Sequence, residues 1–283
     1  MFALVMLLAA VATPTPEPTE SPTPQRLLGM IRAVYRSHRP PPTYETYTLI
    51  RKQLATNGYP DPTGSYTKHI WIRNTDRAAL TRYVYRDDAR GDLSFDRPAF
   101  NEDRDPGPPT ADVFEPAPIR HHPVAEVPTP EPNYTAPPLI GGVRFLLEFD
   151  YKVTSVETVG DQLHLTVEPI RDIERNRLRD IWCDKNTLEL RKLVATDKLF
   201  VEGGGVATHV YAVVFTITMG NVQGYPVVTD LHGVVGKDSD GNQYDGDGRD
   251  VDFQFRDITF PASLPDWYFN PRTYAQHQAD APS

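Results

Sequence analysis

The sequence predicts a mainly β protein with a little helix (α+β): a single antiparallel sheet of about eleven strands, strongly curved or nearly closed, preceded by one amphipathic helix. Three observations carry this. After residue 43 nearly every ordered-looking stretch alternates apolar and polar residues with the period of a strand. Most of these runs are joined by short, hairpin-like connections, which demand antiparallel neighbours. And helical spacing of apolar residues appears once, just before the strands begin.

The chain opens MFALVMLLAAVA, an apolar run too short to span a bilayer as a helix and ending in the small-x-small pattern Ala10-Val11-Ala12. We read residues 1–12 as a signal peptide cleaved after Ala12, the alternatives being an uncleaved anchor or a misassigned start; on the first reading the protein is an exported one of the periplasm or cell envelope. Residues 13–23 are a disordered Pro/Thr-rich spacer. Thr23 is placed to cap a helix with Pro24 at its first position. Leu27, Leu28, Ile31, Val34 and Tyr35 then follow at helical spacing, with Arg26, Arg32 and Arg36 mostly elsewhere on the wheel, until Pro40-Pro41-Pro42 stops the helix.

The strands come in two series. YETYTLIRKQLAT, SYTKHIWIRN, LTRYVYRDD and DLSFD form the first. A proline-rich insertion at 101–138 follows, with eleven of the 28 prolines between Pro106 and Pro138, where little regular structure is expected. The second series begins with Val143, Phe145, Leu147, Phe149, Tyr151 and Val153 on one face and continues with Leu163, Leu165 and Val167. LRDIWCDKNTLELRKL then reads as a hairpin turning at Asp184-Lys185-Asn186-Thr187. Tyr211, Val213, Phe215, Ile217 and Met219 make the cleanest alternation in the chain, and YPVVTDLHGVV and VDFQFRDITF close the series. The folded domain is expected at 24–275, with 276–283 as a tail.

Charge narrows the function. The net charge of −9 is accounted for by two stretches, 101–132 and 236–252, so the rest of the chain is near neutral and has no basic stripe for nucleic acid. No catalytic constellation is visible either. Cys183, the lone cysteine, sits between Asp180 and Asp184, and acids raise a thiol's pKa. We expect it to be a buried structural residue. Asp238, Asp240 and Asn242 match the first ligand positions of a calcium loop, but Gln243 and Arg249 stand where such a loop needs Gly and Glu, so 238–247 reads as a hairpin tip. His121-His122 and the other histidines lack ligand spacing, Gly203-Gly204-Gly205 lacks the lysine of a phosphate loop, and no G-x-S-x-G elbow occurs. Neither a metal nor a cofactor is expected. Trp71, Trp182 and Trp267 are core residues on one reading and the lining of a lipid-sized cavity on the other.

The segment LRDIWCDKNTLELRKL with VATDKLF after it, and the closing FRDITFPASLPDWYFNP, resemble the lipoprotein carrier superfamily that includes LolA, LolB and RseB. The resemblance implies an eleven-stranded half-open barrel whose concave face binds acyl chains or an apolar peptide, with no enzymatic activity. Unlike that family, this chain has a proline-rich middle where helices would cover the cavity. On this reading the cavity is lined by Phe145, Leu147, Phe149, Leu163, Leu165, Val167, Tyr211, Val213, Phe215, Ile217 and Met219. The proline-rich segment becomes a lid anchored by Val113, Phe114 and Ile119. The expected partner is an apolar ligand (lipid, acyl chain or lipoprotein) bound by a monomer. The alternative is an envelope protein partner, docking on a structural or sensory module whose cavity is filled by its own side chains.

Overall fold

The computed structural model describes residues 22–54, 65–86, 98–101, 106–115, 150–173, 175–203, 206–244 and 250–280. Helix α1 (Pro24–Arg36) starts as its sequence dictates: the Thr23 hydroxyl accepts from the Arg26 amide at 3.3 Å, and Pro24 occupies the first turn, where no N–H is needed. Its buried stripe is Leu27, Leu28, Ile31 and Tyr35. Arg32 departs from the wheel reading. It is only 1% exposed, with its guanidinium 5.2 Å from the Phe114 ring centroid and 3.9 Å from an Asp150 carboxylate oxygen. An aromatic face and an acid make its burial tolerable.

Among the described residues eleven strands follow: β1 (Tyr44–Leu54), β2 (Tyr66–Arg73), β3 (Ala78–Arg86), β4 (Ala99–Phe100), β5 (Tyr151–Val159), β6 (Gln162–Pro169), β7 (Leu178–Asp184), β8 (Leu190–Gly203), β9 (Val206–Val222), β10 (Tyr225–Asp238) and β11 (Asp250–Thr259). They form one sheet in the order β4-β3-β2-β1-β11-β10-β9-β8-β7-β6-β5, every neighbouring pair antiparallel. The sheet is not closed, since β4 and β5 are its two ends. The expected strand at 92–96 lies outside the described residues, and the edge strand seen is Ala99–Phe100. β5 runs past Val153 to Val159, because a bulge between Val153 and Ser155 shifts the alternation that marked its first half.

The sheet curls around α1. Eleven flat strands would span roughly 48 Å and a 13-residue helix only about 20 Å. Yet Arg32 on α1 stands 3.9 Å from Asp150 just before β5, while Tyr35, less than one turn on, donates to the Ala111 carbonyl beside Thr110, whose hydroxyl donates to Glu45 on β1, seven places away in the sheet. A flat sheet could not bring strands that far apart onto so short a helix. The helix-bearing side is hereafter the inner face.

Turns obey local chemistry. Gln223 and Gly224 both have positive φ, the two-residue hairpin turn whose twist matches the strands. Between β7 and β8 the Asp184 carboxylate accepts from the amides of Asn186 and Thr187 at 2.9 and 3.0 Å, which holds its own pKa below the usual carboxylate value. After β11 the chain folds back over the outer face of β1 to β4 through a 3₁₀ turn (Asp266–Phe269), a short helix (Pro271–Tyr274) and a second 3₁₀ turn (Ala275–Asp280). Trp71, Leu80, Phe269 and Tyr274 form a second core there. Ile70, Trp71 and Ile72 are consecutive and all buried, which a strand allows only when both its faces are covered. His277 stacks on Trp267 at 5.0 Å, so packed structure extends beyond residue 275.

Candidate binding face

Two elements occupy the inner face near the start of β1. One is α1; the other is the strap 106–115, the described part of the proline-rich insertion. A polar network pins them together. The Thr110 hydroxyl donates to Glu45, itself fully buried on β1, at 2.7 Å. Arg39 donates to the Thr110 carbonyl at 2.6 Å and to the Tyr35 hydroxyl at 2.7 Å, and Tyr35 donates on to the Ala111 carbonyl at 2.9 Å. The Val228 amide donates to the Pro109 carbonyl at 2.8 Å, so the strap is tied to β10 as well. Phe114 is 3% exposed, edge-on to Tyr35 at 5.5 Å, and Val113 packs beside it against the main core. Burial pushes the Tyr35 hydroxyl up, and the Tyr225 hydroxyl beside it to about 12.

The sequence-derived lining residues divide by location. Leu165, Val167 and Met219 are buried in the main core, and Leu163, Phe215 and Ile217 are partly covered against it. Tyr211 and Val213 form a small satellite cluster with Val235, against which Tyr244 packs. Five of the eight therefore sit in cores of the sheet and three pack against the main one. Phe145, Leu147, Phe149 and Ile119 lie outside the described residues.

What the sequence reading missed is that β10, β11, β1 and β2 extend the same face. Leu231 and Val251 are partly covered, Phe253 is 8% exposed, and Tyr66 packs against the same cluster. The register explains their alignment: Ile217 lies opposite Leu231, Phe215 opposite Gly233, and Gly233 opposite Val251. Gly233 is required here. A Cβ at that position would stand 2.7 Å from a Phe215 ring carbon, so its absence lets the ring lie across β10 toward β11. The Gly233 signal was legible as an isolated glycine in a strand pattern; which ring it admits was not.

The inner face thus has two halves. Under α1 and the strap, Leu28, Ile31, Leu165, Ile181 and Leu193 are 0–1% exposed. Across β9, β10 and β11, Phe215, Ile217, Leu231 and Val251 are only partly covered. At the corner of this second half stand Arg51 on β1 and Lys68 on β2, each against aromatic rings.

The remaining candidates resolve without chemistry. Cys183 is fully buried, its thiol pushed up to about 11 by burial and then by Asp184. Asp238 accepts from the Asp240 and Asn242 amides, the Asn242 side chain and His209, which shape the described part of the 238–247 tip as a tight turn. Among the described residues no cluster of His, Cys, Asp and Glu is arranged to hold a metal. None of the three tryptophans is in the inner-face core. Trp71 and Trp267 belong to the outer core, and Trp182 lies on the outer face between His164, stacked at 4.0 Å, and the Lys192 ammonium, 3.7 Å above its ring. No helix among the described residues is long and apolar enough to cross a membrane.

No family model matches the sequence, and no curated protein matches it. Among solved structures it is similar to a LolA superfamily protein, NE2245, from Nitrosomonas europaea. The identity is 11% and the TM-score 0.40, over 87% of this chain and 98% of that one.

Proposed function

We propose that this protein is an exported, non-enzymatic binding protein or carrier for an apolar ligand, held on the inner face of its sheet. The observation that carries the reading is the change in cover along one continuous apolar face. Leu193 on β8 is fully buried, while its cross-strand neighbour Ile217 on β9, and Leu231 beyond it on β10, are only partly covered. Each large apolar side chain left so gives up part of the roughly 1.5–3 kcal/mol that full burial supplies. An acyl chain laid across β9 to β11 would complete the burial, as ligand pockets of mostly apolar lining do.

Native mass spectrometry of protein purified without detergent tests this. Co-purifying lipid or acylated peptide is expected, or uptake of either when offered. A protein that stays empty after exposure to phospholipid and to lipopeptide rejects the reading. A specific observation would then favour the second one. Leu28, Ile31 and Phe114 already seat the protein's own chain in half of the concavity, as an envelope module that docks another protein with a self-filled interior would do.

A further inference from the structure

We propose that the loop between β6 and β7 is a second interaction site, separate from the inner face, that docks the protein on the surface of a phospholipid bilayer. Two large apolar side chains stand out from it: Ile170 is 52% exposed and Ile173 is 65% exposed. The loop holds them there by its own bonds. The Ile170 amide donates to the Asp150 carbonyl at 2.9 Å, and Arg171 donates to the Asp150 carboxylate at 2.7 Å. Asp172 has a φ of 45°, the left-handed conformation, and its carbonyl accepts from the amides of Arg175 and Asn176, both at 2.8 Å. The Asn176 side chain, in a residue only 2% exposed, closes the turn by donating to the Arg171 carbonyl at 2.8 Å.

An exposed apolar residue standing alone is ordinary. The other exposed large hydrophobics among the described residues are of that kind: Met30, Val84, Val159 and Val214 lie on α1, β3, β5 and β9, one to an element. The β6–β7 loop carries two, three residues apart on one fixed turn.

The size of the tip selects its occupant. A specific protein complex buries roughly 800 Å² on each partner across a matched surface, and two side chains on a turn supply a small part of that. A bilayer needs no matched surface, since apolar side chains enter the boundary between its head groups and acyl chains. Charge at the base of the loop suits that depth. The Arg179 guanidinium donates to the carbonyls of Asn176 and Leu178, at 3.2 and 2.7 Å, and to no carboxylate among the described residues. A layer of lipid phosphates attracts such a cation. Asp172, exposed between the two isoleucines, keeps the insertion shallow, because a carboxylate does not enter the acyl region.

The test is flotation of the full chain with phosphatidylcholine vesicles. Wild type should float with them, and the double variant Ile170→Ser, Ile173→Ser should bind at least about ten-fold more weakly, the scale of withdrawing two large apolar side chains from partial burial. Its urea midpoint should not move, since both residues are exposed. Val159→Ser removes a side chain that is 55% exposed at the opposite end of β6, in the β5–β6 hairpin, and should float as wild type does. An environment-sensitive dye on Ile173→Cys should shift to shorter wavelength when vesicles are added, and the same dye on Val159→Cys should not. This second readout reports the loop alone, whatever residues 1–12 do. A wild type that ignores vesicles, a dye at 173 that does not respond, or an equal loss on Val159→Ser would each overturn the proposal. Self-association of wild type that the two serines abolish, without vesicle binding, would make the tip a protein contact and overturn it too. Uptake of a soluble apolar probe separates this site from the inner face. A double variant that loses vesicles and keeps the probe supports two sites, and one that loses both with its urea midpoint unchanged overturns the separate tip. Vesicle docking by a wild type that takes up no probe would uphold the tip and reject the inner-face ligand.

Discussion

The two halves of the inner face are built from the same kind of strand yet are finished differently. Beneath α1 the strands meet a helix, a strap and a polar network that joins residues as far as 65 apart in sequence, Thr110 and Glu45. Across β9 to β11 the same alternation continues, but Phe215, Ile217, Leu231 and Val251 are left partly covered. The difference teaches that alternation specifies which face is apolar and says nothing about what covers it. Cover is a property of tertiary contacts, and those depend on residues far away in the chain.

The sharpest way to break this comparison is to remove one large apolar side chain from each half. Leu28→Ala, at 1% exposure, should cost about 2–5 kcal/mol in urea melts, the range for emptying a packed core site. Ile217→Ala should cost about 1–2 kcal/mol, since a site already partly exposed loses less on truncation, and its main effect should appear in probe binding. Equal stability losses with unchanged binding would erase the distinction between the halves.

Next in size is the pH response of the packed half. The Cys183 thiol has its pKa raised to about 11 from an ordinary 9.0. Between those values the unfolded chain has released this proton and the native state still holds it, so stability falls as pH rises and levels off above pH 11. The loss should be about 2–3 kcal/mol by linkage. Denaturant melts of wild type and Cys183→Ala separate this group from the buried tyrosines, whose own losses begin nearer pH 10. The Ala variant should lack the early part of the decline, and parallel curves would contradict the assignment. Cys183→Ser should cost on the order of 1–3 kcal/mol at neutral pH, and thiol reagents should label the native protein slowly.

Thr110→Val tests the pin between strap and sheet. It takes a hydrogen-bond donor from a buried carboxylate, and about 1–3 kcal/mol should be lost. If the strap also limits access to the partly covered half, an apolar fluorescent probe should bind more tightly to this variant. Unchanged binding would make the strap structural only.

The smallest effect sharpens the comparison from the other side. Among the described residues the Tyr225 hydroxyl is buried with no hydrogen-bond partner, a flaw in the packed half. Tyr225→Phe should leave stability unchanged or raise it by up to about 1 kcal/mol, read as the urea midpoint. A clear loss would show that the hydroxyl does have a partner.

Much of the fold was legible because strand alternation and helix capping are local. Thr23, Pro24 and the stripe from Leu27 to Tyr35 mark α1 within a few residues of where it lies. Tyr211, Val213, Phe215, Ile217 and Met219 mark β9, although its strand runs longer, Val206–Val222. Three things were not legible. The β5 bulge hid half of that strand, because one inserted residue inverts the pattern that identifies it. Arg32 looked like a surface residue because the acid that faces it, Asp150, is far along the chain. Arg51 and Lys68 looked like ordinary polar residues of alternating strands, since the rings that hold them come from three different strands.

The sheet order itself has a further consequence. Every neighbouring strand pair is also consecutive in sequence except one, β1 with β11, from Thr46 opposite Thr259 to Leu54 opposite Asp250. The molecule is two meanders, β1 to β4 and β5 to β11, zipped along a single seam. Each meander can form from local hairpins, while the seam must wait for a loop of some two hundred residues to close, the slow and entropically costly kind of step. A chain cut within 116–149 would leave both meanders whole. Its two fragments should find each other through the seam and recombine into one sheet at a rate that depends on their concentration.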